Sequence, residues 1–278
     1  MQSSACCGVL GRPIAHSLSP VLHRAGYAAV GLDWTYAAHE VTEEGLPGFL
    51  DGLDDRWRGL SLTMPLKRTV VPLLDALSPR AVLAQAANTV ILRDGRRIGH
   101  NTDIPGAAAA ITERWAGPVA SAIVLGGGAT AASTLLALAD LGCRNVRLML
   151  RDADRARETL EAAARHPAAP EVQVARLGDA AEPADVLVST IPAGAQTADV
   201  VALAEHVSVV FDVIYDPWPT PLAAAARLGN QVLVSGLDLL VHQAALQFTL
   251  MTGLPDAPLA VMRAAGEQAL AARTSHPH

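Results

Sequence analysis

At 278 residues, 51% hydrophobic and 17% charged, the chain carries enough apolar material for two buried cores and too little charge for a disordered one. Its net charge of −6 gives no basis for nucleic acid or an anionic membrane as partner, and no apolar run reaches the ~20 residues of a membrane helix. Cys6, Cys7 and Cys143 lack metal-ligand spacing, and Met1–Cys7 lacks a basic-then-apolar leader, so the expectation is a cytoplasmic protein with reduced thiols and no metal.

Cys7–Gly11 reads as a short buried strand. Ser19 and Pro20 then open a helix, with Ser19 as N-cap, Pro20 in the first helical position and Leu22, Ala25 and Ala29 as the apolar stripe. Trp34–Val41 alternates like a strand, and Gly59–Met64 is another, stopped by Pro65. Residues 87–99 form a hairpin turning at Asp94-Gly95. From about residue 104 the pattern becomes regular βαβ, with strands at Ala122–Leu125, Val146–Leu150, Val172–Ala175, Val186–Thr190, Val207–Val213 and Val232–Ser235. After Gly236 the chain reads as helical to its end, with Leu237, Leu240, Val241, Ala244, Ala245 and Phe248 on one stripe. The expectation is a two-domain α/β protein. A split α/β domain takes residues 1–103 plus about 237–278, and a Rossmann-like, doubly wound domain takes 104–236.

The segment Ser121–Ala131 runs from an apolar strand through three glycines into an alanine-rich helix, the pattern of a dinucleotide phosphate clamp. Gly126 permits the tight turn, Gly128 lets the backbone approach a pyrophosphate, and Ala131 fills the close-packing position. Beyond the following strand stands Arg151, where an NAD site places an acid for the ribose 2′-hydroxyl. Arginine suits a 2′-phosphate instead.

Five further segments place polar groups at strand ends or helix starts: His16–Pro20, Ser61–Lys67, Ala87–Thr89, Asn101–Asp103 and Asp212–Tyr215. In an open α/β sheet, ligands bind beyond the carboxyl ends of the strands, so this set fits a small substrate with several hydroxyls. Ser17 and Ser19 serve equally as helix caps, Thr63 as a strand end, and Asn101–Asp103 as the cap of a helix from Pro105. Lys67 stands out because it is the only lysine among 21 basic residues. Lysine, unlike arginine, can surrender a proton near neutral pH in suitable surroundings, which makes it the best acid/base candidate.

In order, Ser17-x-Ser19-Pro20, Thr63-Met64-Pro65 with Lys67, Ala87-Asn88-Thr89, Asn101-Thr102-Asp103, the glycine loop, Arg151, Tyr215 with Asp216-Pro217, and Gly236-Leu237 followed by Gln243 resemble shikimate dehydrogenase over most of the chain. Ser189–Pro192 and Ile214–Pro221 look most like the actinobacterial branch of this shikimate/quinate dehydrogenase family. The resemblance implies an α/β substrate domain and a Rossmann-like NADP domain, with the active site in the cleft between them. It also implies reversible NADPH-dependent reduction of 3-dehydroshikimate to shikimate, in aromatic amino-acid biosynthesis. Lys67 and Asp103 would be the catalytic pair. Ser17, Ser19, Thr63, Lys67, Asn88, Asp103, Tyr215 and Gln243 would contact the substrate. Gly126, Gly127, Gly128, Ala129, Thr130, Arg151, Arg155, Val213 and Gly236 would line the NADP site, with no metal required.

The chain departs from the family pattern at three places. Ser61 stands where the family often has Asn, and Ala129 reshapes the glycine loop. Leu150-Arg151-Asp152 replaces the Asn-Arg-Thr cofactor signature, so Asp152 adds an anion beside the 2′-phosphate position. Arg155 shares the face of Arg151 if a helix has begun there, and two cations against one acid favour NADP. A paralogue acting on quinate or an aminoshikimate, and a sensor that binds NADP or a shikimate-like ligand without turnover, are the alternatives. The protomer is expected as a monomer or a homodimer.

Overall fold

A computed structural model describes residues 4–274; Met1–Ser3 and the last four residues lie outside it, as do the parts of the leader and terminal-helix expectations that fall on them. The described chain divides into two compact units, one built from residues up to Thr102 together with Leu240 onward, the other from Asp103 to Leu239.

The first unit holds a six-stranded sheet of β1 (Cys6–Gly11), β2 (Thr35–Glu40), β3 (Trp57–Leu62), β4 (Ala76–Leu77), β5 (Thr89–Arg93) and β6 (Arg96–His100). The strand order is β2-β1-β3-β5-β6-β4. β1 pairs in parallel with β2 and β3, whereas β5 runs antiparallel to both β3 and β6. Asp94 (φ 53°) and Gly95 (φ 71°) make the tight β5–β6 turn, which needs two left-handed residues. Leu10, Leu60, Leu62, Val90 and Leu66 bury one face of this sheet against Leu46 and Leu50. The two-residue strand β4 has no counterpart in the sequence expectation; two residues are too few to show any periodicity.

Two expectations about helices need correction. The first helix spans Ser19–Ala29, so Ser19 lies inside it and its hydroxyl does not cap it. Instead the Ser19 N–H donates to Ser17 Oγ (3.3 Å). The C-terminal region is two helices, Gly236–Thr252 and Leu259–Thr274, rather than one. Gly253 takes a left-handed conformation (φ 73°), and Pro255 and Pro258 in the link cannot supply helical N–H bonds. Leu259–Thr274 returns to pack against Ser19–Ala29, where Phe248 and Met262 crowd Gly26.

The second unit is a parallel sheet of β7 (Ser121–Leu125), β8 (Asn145–Leu150), β9 (Glu171–Arg176), β10 (Ala184–Ser189), β11 (Val207–Asp212) and β12 (Val232–Ser235). Its order is β12-β11-β10-β7-β8-β9, with every neighbouring pair parallel. Numbered from β7, this is the 3-2-1-4-5-6 arrangement of dinucleotide-binding folds. The strands are valine- and leucine-rich because such a sheet is covered on both faces. Leu125, Leu187 and Val210 pack against Leu203, Leu222 and Ala226.

Buried polar groups in the first unit carry a consequence for pH. The His23 ring is fully buried, stacks on Tyr36 (centroids 4.1 Å apart) and uses Nδ1 toward the Ser19 carbonyl (3.0 Å). Burial holds it neutral, lowering its pKa from 6.5 to about 4. Between those values the unfolded chain takes up a proton that the folded chain refuses, so stability falls as pH drops through that window. We expect up to about 3 kcal/mol to be lost from this source between pH 7.5 and pH 4. Denaturant unfolding of wild type and His23→Phe at both pH values checks it: the pH-dependent loss shrinks in the variant.

Candidate functional site

In the first unit, the polar residues singled out from the sequence gather where β1, β3 and β6 end and β5 begins. The chain leaves β3 through Thr63, whose N–H donates to the Leu10 carbonyl (2.9 Å), and enters the short helix Leu66–Thr69. That helix is anchored by buried Leu66 and carries Lys67, which is half-buried. The Lys67 carbonyl accepts the Ala87 N–H at 2.7 Å. The sole lysine is thereby tied by its backbone to the residue preceding Asn88.

Asn88 is 1% exposed and sits at a backbone crossing. Its carbonyl accepts from the Leu62 N–H (2.8 Å), and its N–H donates to the His100 carbonyl (3.1 Å). Its Oδ1 accepts the Thr102 N–H (2.8 Å) and the Thr89 hydroxyl (2.9 Å), while Nδ2 donates to Thr102 Oγ1 (2.9 Å) and to Gln243 Oε1 (3.3 Å). Asn88 and Gln243, far apart in sequence, are therefore in contact. Asp103 follows Thr102 directly, is 5% exposed and begins the helix Asp103–Arg114, where a carboxylate is favoured by the helix dipole. Asn101 is held separately, by Nδ2 on the Ala86 carbonyl (3.1 Å). The alternative of Asn101–Asp103 as a cap from Pro105 is thus displaced by two residues, since the helix already contains Asp103.

Two members of this cluster, Tyr36 and Gln247, lie outside the segments singled out from sequence, whereas Ser61 and Thr89 lie within them. Tyr36 donates from its hydroxyl to Ser61 Oγ (2.6 Å), and Ser61 donates to Gln247 Oε1 (2.8 Å). Gln247 Nε2 donates to the Asn88 carbonyl (3.1 Å) and to Thr89 Oγ1 (3.0 Å). All four side chains are buried, and burial drives the Tyr36 hydroxyl well above its ordinary pKa, keeping it a neutral donor. The available signal was Gln243 and Gln247 at i and i+4: two carboxamides on one face of a largely apolar helix require partners.

In the second unit, β7 runs into the glycine loop. Gly126 has φ 106°, and a Cβ there would stand 2.4 Å from Thr190 Oγ1, so only glycine fits. Gly128 precedes the helix Ala129–Asp140, which has no side-chain cap, and a Cβ at Gly128 would meet nothing within 4 Å. An uncapped helix end with open approach is a ready-made place for a phosphate. Ala129 is an ordinary first-turn helical residue here, Thr130 follows it half-buried, and Ala131 is fully buried as the close-packing position requires.

The region after β8 corrects the arginine reading. Arg151 leaves the strand in irregular backbone, Ala153–Ala156 forms a 3₁₀ turn, and the α-helix begins only at Arg157. Arg151 and Arg155 therefore do not share a helical face. Asp152 is the cap of that turn, its Oδ1 accepting the Asp154 N–H (3.0 Å), so a local backbone donor already engages its carboxylate. The Arg155 carbonyl crosses Gly127, 2.6 Å from where a Cβ would begin. Both arginine side chains are exposed.

At the end of β11, Asp212 is fully buried and serves the following loop. It accepts from Thr220 Oγ1 (2.6 Å), Gln196 Nε2 (2.8 Å) and the Ile214 N–H (3.2 Å). Burial raises its pKa above the usual carboxylate range despite these donors. It anchors the segment that carries Val213 and half-buried Tyr215. Val213 abuts Gly236, where a Cβ would lie 2.2 Å from the Val213 carbonyl oxygen. We expect Gly236→Ala to cost about 1–3 kcal/mol because backbone must move, measured as a lower urea midpoint. Among the described residues no group of three or more His, Cys, Asp or Glu is placed to hold a metal ion, and no helix is long and apolar enough to cross a membrane.

Comparison with known proteins bears on both units. Residues 9–90 match the profile of the shikimate dehydrogenase substrate binding domain, and residues 236–265 that of the shikimate 5′-dehydrogenase C-terminal domain. The NADP(+)-dependent shikimate dehydrogenase of Moorella thermoacetica is 35% identical, over 99% of this chain and 97% of its own. The crystal structure of Mycobacterium tuberculosis shikimate dehydrogenase superposes with a TM-score of 0.86 at 39% identity, covering 95% of this chain and 99% of that one. The Thermus thermophilus enzyme, solved with NADP(H) and shikimate, gives 0.81 at 31% identity with the same coverage.

Proposed function

The chain belongs to the shikimate dehydrogenase family, and from that premise we propose that it catalyses the reversible NADPH-dependent reduction of 3-dehydroshikimate to shikimate. The observation that carries the reading is the hydroxyl and carboxamide cluster around Asn88, backbone-linked to the only lysine of the chain. A polyhydroxylated ring acid is the kind of ligand such a cluster recognises, because each substrate hydroxyl both gives and takes a bond.

The residues divide by role. Ser17, Ser19, Thr63, Asn88, Tyr215 and Gln243 bind and orient the carboxylate and ring hydroxyls. Lys67 gives its proton to the alkoxide that develops at the reduced carbonyl, while Asp103 holds the lysine ammonium and a substrate hydroxyl. The turn at Gly126, Gly127 and Gly128 and the helix end at Ala129 and Thr130 fit a dinucleotide pyrophosphate, with Val213 and Gly236 beside it. Arg151 and Arg155 supply cationic groups for a 2′-phosphate. When bound, NADPH supplies the hydride. A cytoplasmic setting, as monomer or homodimer, belongs to the same reading; Cys6, Cys7 and Cys143 are all free thiols.

A substrate panel tests the specificity. With NADP+ present, kcat/KM for shikimate is expected to exceed those for quinate and an amino analogue. A higher value for quinate reassigns the substrate, and NADP+ binding without turnover of any ring acid makes the chain a sensor.

A further inference from the structure

A carboxamide has nearly the same shape whichever way it is turned, yet its two ends offer a substrate opposite chemistry: an acceptor or two donors. Asn88 is such a group, and the hydrogen bonds behind it determine which end faces where. The chain of bonds starts at Tyr36, whose hydroxyl donates to Ser61 Oγ (2.6 Å). Ser61 is then left to donate to Gln247 Oε1 (2.8 Å). That contact turns the Gln247 amide so that Nε2 faces Asn88 O (3.1 Å) and Thr89 Oγ1 (3.0 Å). With a donor already pointing at its oxygen, the Thr89 hydroxyl sends its proton to Asn88 Oδ1 (2.9 Å), where the Thr102 N–H also arrives (2.8 Å). The acceptor end of Asn88 is thus surrounded by donors, and Nδ2 is directed to Thr102 Oγ1 and Gln243 Oε1.

We propose that Gln247, acting through Thr89, is a positioning residue that holds the Asn88 carboxamide with its NH₂ group toward Thr102 and Gln243, so that a substrate hydroxyl taking the place of the long Gln243 contact (3.3 Å) meets a donor. Gln247 spends Oε1 on Ser61 and Nε2 on Asn88 O and Thr89 Oγ1, and Thr89 spends its proton on Asn88 Oδ1, so both act behind Asn88 rather than on the substrate. Ser61, 3% exposed, likewise uses its hydroxyl in the relay. Their effect on turnover would pass through Asn88. Such networks act together, since each bond fixes the polarity of the next.

The inference takes its substrate from the functional reading above, so the test has one arm that uses shikimate and one that does not. In the first, kcat and KM are measured for wild type, Gln247→Leu and Thr89→Val. The expected result is a shikimate KM raised about tenfold in both variants, the loss of roughly one hydrogen bond's worth of affinity, with NADP+ KM and kcat within about threefold of wild type. In the second arm, exchange of the Asn88 side-chain amide protons is followed by NMR in the ligand-free protein, slow in wild type and faster in both variants. If wild type does not turn over shikimate, the functional reading falls and the amide exchange alone decides the positioning role. Should Gln247→Leu fail to fold, Thr89→Val, which keeps the shape and removes only the hydroxyl, decides. Unchanged amide exchange overturns the proposal, as does a lowered melting temperature with shikimate KM within about twofold of wild type.

Discussion

Lys67→Ala is expected to lower kcat for shikimate oxidation by a factor of about 10²–10⁴ while changing KM little. A positioned proton donor contributes that range, and it acts on the charge that develops during reaction rather than on the bound ground state. The loop is held by the bond from the Ala87 N–H to the Lys67 carbonyl and by buried Leu66, both of which survive the substitution. Lys67→Arg is expected to rescue little, because a guanidinium keeps the charge but does not release a proton near neutral pH. An unchanged kcat in Lys67→Ala removes this lysine from the mechanism; a KM rise with kcat intact makes it a binding residue only.

Arg151→Ala is expected to lower kcat/KM for NADP+ about 10–100-fold and to leave the value for NAD+ within about threefold. A charge-assisted contact to phosphate is worth ~1.5–3 kcal/mol, and NAD+ has no 2′-phosphate to lose it with. Asp152 is the counterweight. As a free carboxylate beside Arg151 it would repel the phosphate, but it caps the turn at Ala153–Ala156 through the Asp154 N–H. Because Arg155 sits in that turn rather than on a helical face with Arg151, the effect of Arg155→Ala is expected to be the smaller of the two. Equal losses for both cofactors in Arg151→Ala contradict the assignment.

Much of the second unit was legible because its physics is local. Continuous Val/Leu runs bounded by Gly, Pro and Asp mark buried parallel strands, and all six expected strands occur within two residues of where they were read. Asp94-Gly95 likewise encodes its own turn. What was missed depends on tertiary partners. Ser19 looks like a cap until the helix is seen to include it. Arg151 and Arg155 look like neighbours only if a helix is assumed where Asp152 nucleates a 3₁₀ turn. Tyr36, Ser61, Thr89 and Gln247 form one relay from four separate elements, and no local pattern announces such a network. The break after Thr252, by contrast, was written in Gly253, Pro255 and Pro258 and was overrun by a strong apolar stripe before it.

The activity on which the functional reading rests is the oxidation and reduction of a shikimate ring with NADP(H). It is tested most directly by the initial rate of absorbance increase at 340 nm when the purified protein is mixed with shikimate and either NADP+ or NAD+. Steady NADPH formation is expected, with kcat/KM for NADP+ above that for NAD+. No increase with either cofactor contradicts the activity, and a preference for NAD+ contradicts the reading of Arg151.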